Sequence, residues 1–118
     1  MLNKPKYNLL KNTLYAYNGL KDLIKNETSF KIEIIVFIIL IIFIIIIKSS
    51  IIEKLLMFMS IFFVLIAETI NSAIERIVDL ITQDYNELAG KAKDIGSTIV
   101  FFSIIMSFII WGTICFSL

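Results

Sequence analysis

An all-α membrane protein, with one N-terminal amphipathic surface helix and three transmembrane helices, is the fold class this sequence predicts. Three observations predict it. The chain has 118 residues, of which 58% are hydrophobic, and its mean hydropathy is +0.91. Soluble domains run at about 45–50% apolar, and a chain this short cannot hide the excess from water, so part of its solvent is lipid. Long apolar runs alternate with short polar links, and lysines gather on one side of the first run. Residues 1–118 are read as a single membrane domain.

The first element is a helix over 6–27. Tyr7, Leu10, Leu14, Tyr17 and Ile24 recur at helical spacing among lysines. Tyrosine and lysine favour the headgroup zone, so this helix is expected to lie on the membrane surface. No signal peptide is read here, because the first long apolar run begins too far in and no small-residue cleavage site follows. The second element, FKIEIIVFIILIIFIIII at 30–47, is the first span. Its near-continuous isoleucine leaves no polar face, and Lys31 can snorkel to the headgroups.

The middle span is placed at 55–81, uniformly apolar in its first half and amphipathic in its second. The last, at 95–118, is long enough to cross and carries no charge. Links at 48–54 and 82–93 join them, short enough for successive helices to pack antiparallel. Lys93 and Asp94 are then expected at the opening of the last helix, whose N-terminus would attract anions.

Lys4, Lys6, Lys11, Lys21, Lys25 and Lys31 precede the first span, whereas Lys48 and Lys54 share the next link with Glu53. The positive-inside rule puts the N-terminus and the 82–93 link, with Lys91 and Lys93, in the cytoplasm. Asn26-Glu27-Thr28 has the form of a glycosylation sequon but falls on that cytoplasmic side, and it is discounted.

Composition excludes several chemistries. Cys115 is the lone cysteine and histidine is absent, which removes disulfides, thiolate or imidazole zinc sites and histidine-based triads. A net charge of +1 gives no case for a nucleic-acid partner. What remains is carboxylate, lysine, amide and hydroxyl chemistry, with magnesium as the natural metal.

The residues that need an explanation lie in AETINSAIERIVDLIT, 67–82. At 100° per residue Glu68, Asn71, Glu75 and Asp79 fall within an arc of about 80° and span a rise of about 16 Å. A charge at a span's centre costs about 2.5–3.5 kcal/mol, against about 0.3–0.6 gained per Ile, Leu or Phe. These carboxylates must therefore face protein, water or a cation. A solvated helix end accounts for Asp79 and poorly for Glu68. A lysine-paired structural cluster, or an assembly device, is a second reading. A cation path is a third, although the first span offers nothing polar beyond Glu33 at its edge. The fourth is phosphoryl transfer: carboxylates for a metal, Lys93 and a helix N-terminus for phosphates, and one carboxylate as base. No G-x-x-x-x-G-K-[ST] or G-x-G-x-x-G accompanies it.

The stretch AETINSAIERIVDLITQDYNELAGKAKDIGSTIV, 67–100, resembles the signature region of the prokaryotic diacylglycerol kinase family, small integral-membrane lipid kinases. The family pattern is E-x-x-N-[ST]-A-I-E-x-x-V-D, a short loop, then A-K-D-x-[GA]-[SA]. Here it reads Glu68, Asn71, Ser72, Ala73, Ile74, Glu75, Val78 and Asp79, then Ala92, Lys93, Asp94, Gly96 and Ser97.

The resemblance implies a homotrimeric bundle in the bacterial cytoplasmic (inner) membrane, multi-pass, with active sites shared between subunits at the cytoplasmic interface. It implies transfer of phosphate from ATP, as its Mg2+ complex, to diacylglycerol, giving phosphatidic acid. It casts Glu68 as the general base, Glu27 and Glu75 as metal–nucleotide ligands, and Lys93 on the phosphates. Asn71, Asp79 and Asp94 become supporting residues, and Tyr15, Asp84, Tyr85, Asn86 and Asp94 itself become nucleotide positions. Glu33, Ser97 and Trp111 become lipid-side positions. This chain has Asn8 where the family carries a basic residue, and Asn86 where it often has histidine; both fall in nucleotide contacts. Undecaprenol kinase is a branch of the same family, and the loop NELAGKAKDIGS looks more like the diacylglycerol branch.

Overall fold

The computed structural model describes residues 6–118; Lys4, counted above among the cytoplasmic lysines, lies outside them. Among the described residues four helices follow one another: α1 (Leu9–Asn26), α2 (Thr28–Ile46), α3 (Ile51–Ile81) and α4 (Glu87–Ser117). The chain divides into two compact units, Met1–Val36 and Phe37–Leu118, and the boundary falls inside α2.

In the first unit, Asn8 caps α1 by accepting a hydrogen bond from the Lys11 N–H at 3.2 Å. Asparagine is among the best N-caps, because its carbonyl satisfies an N–H that the helix leaves unpaired. Along α1 Leu23 is buried while Leu10, Leu14 and Tyr17 are exposed, and Tyr7, just before the helix, is exposed too. Lys25 sits in the last turn, where a cation complements the helix dipole. Glu27 is the whole joint between α1 and α2. Its N–H donates to Leu23 O at 2.9 Å, and its own carbonyl accepts from Lys31 N at 3.2 Å. One extended residue thus ends one helix and begins the next.

In the second unit the main interhelix interface is α3 on α4. α3 starts four residues before the expected 55, because Ser50 and Glu53 form a capping box. Glu53 N donates to Ser50 Oγ at 3.1 Å, and Ser50 N to Glu53 Oε1 at 3.0 Å. The Ser50 backbone N–H, then the Ser49 and Ser50 side chains, hold the Glu53 carboxyl below the usual carboxylate range. Lys54 Nζ reaches back 3.2 Å to Ile45 O, so a cation closes the C-terminal end of α2.

α4 starts eight residues before the expected 95. Asn86 caps it, its Oδ1 accepting from Ala89 N at 3.0 Å. Lys93 and Asp94 therefore do not open the last helix; they lie about two turns inside it.

The core of this unit is small. Ile44, Met57, Ile61 and Ile114 are buried together, with Phe37, Leu40, Ile41, Ile47, Ile110 and Trp111 packed around them. Phe37, Phe58 and Phe62 make a ring cluster with centroids 5.9–6.2 Å apart. Among the described residues, two helices are long and apolar enough to cross a membrane, Thr28–Ile46 and Glu87–Ser117. Only 11% and 6% of their most apolar windows is buried, which is the reverse of a soluble core helix.

Candidate active site

α3 carries Glu68, Asn71, Glu75 and Asp79 over three turns, and α4 brings Lys93 and Gly96 against them. Asn71 joins the two helices' contributions. Its Nδ2 donates to Glu75 Oε1 at 3.2 Å, an i,i+4 bond along the same helix face. Its Oδ1 is buried and has no hydrogen-bond partner among the described residues. Leaving a buried acceptor unpaired costs about 1–3 kcal/mol. The opposite orientation of the amide would turn Oδ1 towards the Glu75 carboxylate, two acceptors face to face. The orphan oxygen is thus tied to the bond that holds Glu75.

Oδ1 rests against the Cα of Gly96. A methyl group built there would overlap Asn71 Oδ1 and stand 3.4 Å from Asn71 Cγ and 3.6 Å from Ile74 Cδ1. Gly96 is buried and its backbone is helical, so what limits a side chain here is close approach to the end of Asn71 and not backbone conformation.

Asp79 and Lys93 form an ion pair between α3 and α4, Lys93 Nζ donating to Asp79 Oδ1 at 2.7 Å. Both side chains stay about half exposed, at 42% and 53%, so the pair contributes only about 0.2–1 kcal/mol to stability. It does aim the ammonium, which keeps two further N–H groups for other acceptors. Glu75 is near enough for its charge to act on Lys93. Glu68, less than two turns before Glu75, is half-buried and makes no hydrogen bond or ion pair among the described residues.

The other expected site residues are placed as follows. Asp94 and Ser97 are exposed on α4. Asp84 and Tyr85 lie in the α3–α4 link; the Asp84 N–H donates to Thr82 Oγ1 at 3.2 Å, and Tyr85 is 96% exposed. Asn86 is engaged as the α4 cap. In the first unit, Tyr15 is exposed on α1, and Glu27 and Glu33 are half-buried, each with an interaction partner.

Trp111 is about 27 Å of helix rise from Lys93. Its indole stacks on Phe43 at 5.8 Å and donates to Ser60 Oγ at 2.9 Å, so within this chain it belongs to the α3–α4 packing.

The arrangement suits magnesium on the chemistry of its donors. Carboxylate oxygens are the hard ligands that ion takes, and an amide such as Asn71 is the outer group that fixes a ligating carboxylate. No cluster of three or more metal-ligating side chains occurs among the described residues. Magnesium bound with a nucleotide takes one or two carboxylates, and phosphates supply the remaining oxygens.

The chain matches the family described as prokaryotic diacylglycerol kinase over residues 14–115. It is 40% identical over 108 residues to a diacylglycerol kinase of Haemophilus influenzae, covering 92% of each chain. It is 34% identical over 109 residues to that of Escherichia coli, covering 92% of this chain and 89% of the relative. A third relative, the diacylglycerol kinase of Helicobacter pylori, is 30% identical over 104 residues, covering 88% and 81%. With most of its length matched, including both halves of the α3–α4 site, the chain belongs to the prokaryotic diacylglycerol kinase family of membrane lipid kinases.

Proposed function

We propose that this enzyme transfers the γ-phosphoryl group of ATP to the primary hydroxyl of diacylglycerol at the cytoplasmic face of the bacterial inner membrane. The observation that carries the reading is the convergence of Glu75, held by Asn71, with Lys93, aimed by Asp79, at one end of the α3–α4 hairpin. Glu68 lies on the same helix towards the apolar half, where a lipid hydroxyl would arrive.

In this reading Glu68 accepts the hydroxyl proton as the oxygen attacks phosphorus, and ADP leaves with the bridging oxygen. Glu75 holds the metal–nucleotide complex, and Lys93 places its remaining N–H groups on phosphate oxygens. Glu75 would hold the magnesium of that complex, and the ion would supply charge neutralisation for the phosphoryl group in transfer. Glu27 keeps the part that the resemblance implies, a carboxylate for the same complex. Tyr15, Asp84, Tyr85 and Asp94 are nucleotide positions on the same ground, and Glu33 and Ser97 are lipid-side ones. Asn86 is the exception among them, since its carbonyl already serves the α4 cap.

Three spans per subunit, α2, α3 and α4, and a homotrimer complete the proposal. The exposed apolar faces of the two most apolar helices, with residues such as Ile38, Ile42, Phe101, Phe108 and Ile109, offer surface for both lipid and neighbouring copies.

A lipid panel tests the reading: purified protein in mixed micelles, magnesium and radiolabelled ATP, with diacylglycerol or undecaprenol as acceptor. Label in phosphatidic acid is expected. Label in undecaprenyl phosphate alone would move the chain to the polyprenol branch. Ion flux in liposomes without ATP or any lipid product would replace the kinase reading with a cation path.

A further inference from the structure

We infer that Gly96 is a positioning residue for Glu75, acting through Asn71, and the inference rests on the reading of Glu75 as a ligand of the metal–nucleotide complex. Three observations meet at this point. Asn71 Nδ2 donates to Glu75 at 3.2 Å. Asn71 Oδ1 is buried without a partner. The space that a side chain at position 96 would fill is the space that Oδ1 occupies.

The hydrogen that glycine carries in place of a side chain points at Oδ1, and a Cα–H···O contact of this kind only partly replaces a conventional donor. The missing side chain at 96 therefore sets the amide's position. With the amide seated against α4, its NH2 is turned along α3 to Glu75, one helical turn away. Carboxylates that ligate metals are themselves held by outer hydrogen bonds, and losing such a partner typically weakens metal affinity about 10–100-fold.

The other contacts of an added methyl, at 3.4 and 3.6 Å, are ordinary packing distances. The group that must give way is the end of the Asn71 side chain, which can swing out, and not the α3 backbone. Gly96→Ala should accordingly fold and assemble like the parent while releasing Glu75. A glycine kept only for helix packing would show the opposite pattern, lost stability with the nucleotide site intact.

The test uses full-length protein in micelles. It compares parent, Gly96→Ala, Asn71→Ala, the double variant and Glu75→Gln. The first readout is affinity for the magnesium complex of a non-hydrolysable ATP analogue. The second is the NMR signal of the Asn71 side-chain amide without nucleotide. Gly96→Ala is expected to weaken the analogue about tenfold or more, to move the amide signal, and to cost nothing further when Asn71 is already alanine.

An amide signal that stays put in Gly96→Ala overturns the inference. So does a loss of affinity that is the same size with and without Asn71. If Gly96→Ala fails to fold, Asn71→Ala must restore it, because the overlapping atom is gone; no rescue also overturns the inference. A Glu75→Gln variant that binds the analogue like the parent removes the metal role of Glu75 instead. The amide signal then still reports whether Gly96 positions that side chain.

Discussion

At one end of the α3–α4 hairpin Ser60 is buried and fully partnered; at the other Asn71 buries an oxygen that has no partner. Ser60 Oγ donates to Met57 O at 2.7 Å and accepts from Trp111 Nε1 at 2.9 Å, with Ser107 Oγ at 3.5 Å. Around it lie Met57, Ile61 and Ile114, the centre of the small core. Nothing there is left to bind a ligand. The Asn71 end has the opposite character: an orphan acceptor, half-exposed carboxylates and a cation aimed by one of them. The same pair of helices thus puts its cohesion at one end and its unpartnered and charged groups at the other. Unsatisfied and exposed polar groups are destabilising, and they persist where substrate is meant to complete them.

The largest effect that this contrast predicts is at Glu68. Glu68→Gln keeps the shape and removes the proposed base, so lipid phosphorylation should fall about 10²–10⁴-fold. Oligomeric state and thermal midpoint should stay within error of the parent, because the Glu68 side chain makes no hydrogen bond or ion pair among the described residues. A Glu68→Gln protein that turns over normally once assembled would make the acidic face an assembly device and end the division between the two ends.

Ser60→Ala attacks the other end. The Trp111 indole N–H would keep only the longer bond to Met57 O, 3.3 Å. Interhelical hydrogen bonds in membranes average about 0.6 kcal/mol and reach about 1.7, and a loss of that size should lower the unfolding midpoint in micelles. Turnover per folded molecule and the KM for MgATP should not change. A raised KM for the lipid, with nucleotide affinity intact, would return Trp111 to the lipid-side role that the family resemblance implies.

Asp79→Asn should act between these extremes in character and below them in size. It removes the charge that aims Lys93 but leaves an acceptor, so stability should change by less than about 1 kcal/mol. The KM for ATP should rise several-fold, and more steeply at low salt, where the attraction is unscreened. No change in KM at any ionic strength would mean that Lys93 finds the phosphates without guidance.

Much of this was legible in the chain, and what was not has a physical cause. The stripe of Glu68, Asn71, Glu75 and Asp79 follows from 100° per residue, and these four do lie on one helix, α3. The helix starts did not follow from the apolar runs, because hydropathy marks where lipid begins, not where hydrogen bonding begins. Ser50-x-x-Glu53 and Asn86 were the better signals, a capping box and a cap with Glu87 in the first turn. Asp79 and Lys93 are 14 residues apart and pair only because the α3–α4 link is short. Gly96 could be read as a glycine but not as the seat of Asn71, since that depends on the register of two helices.

The smallest effect on turnover is at the α3 cap, far from the Asn71 end, and it isolates pure helix capping from site chemistry. Ser50→Ala should cost about 0.5–2 kcal/mol, as loss of an N-cap does elsewhere. Glu53 adds a pH signature. Its carboxyl is held below its ordinary value, first by the Ser50 backbone N–H. A group with a depressed folded pKa stabilises fully above its unfolded value, about 4.3 for glutamate. That contribution is lost as pH falls through the folded value. Unfolding midpoints of the parent and Glu53→Gln in micelles should therefore differ near neutrality and converge as pH falls through the depressed folded value. Turnover of Glu53→Gln at pH 7 should match the parent. A gap that persists unchanged in acid would show that the carboxylate's charge contributes nothing to the cap, leaving the Ser50 hydroxyl to hold the start of α3 alone.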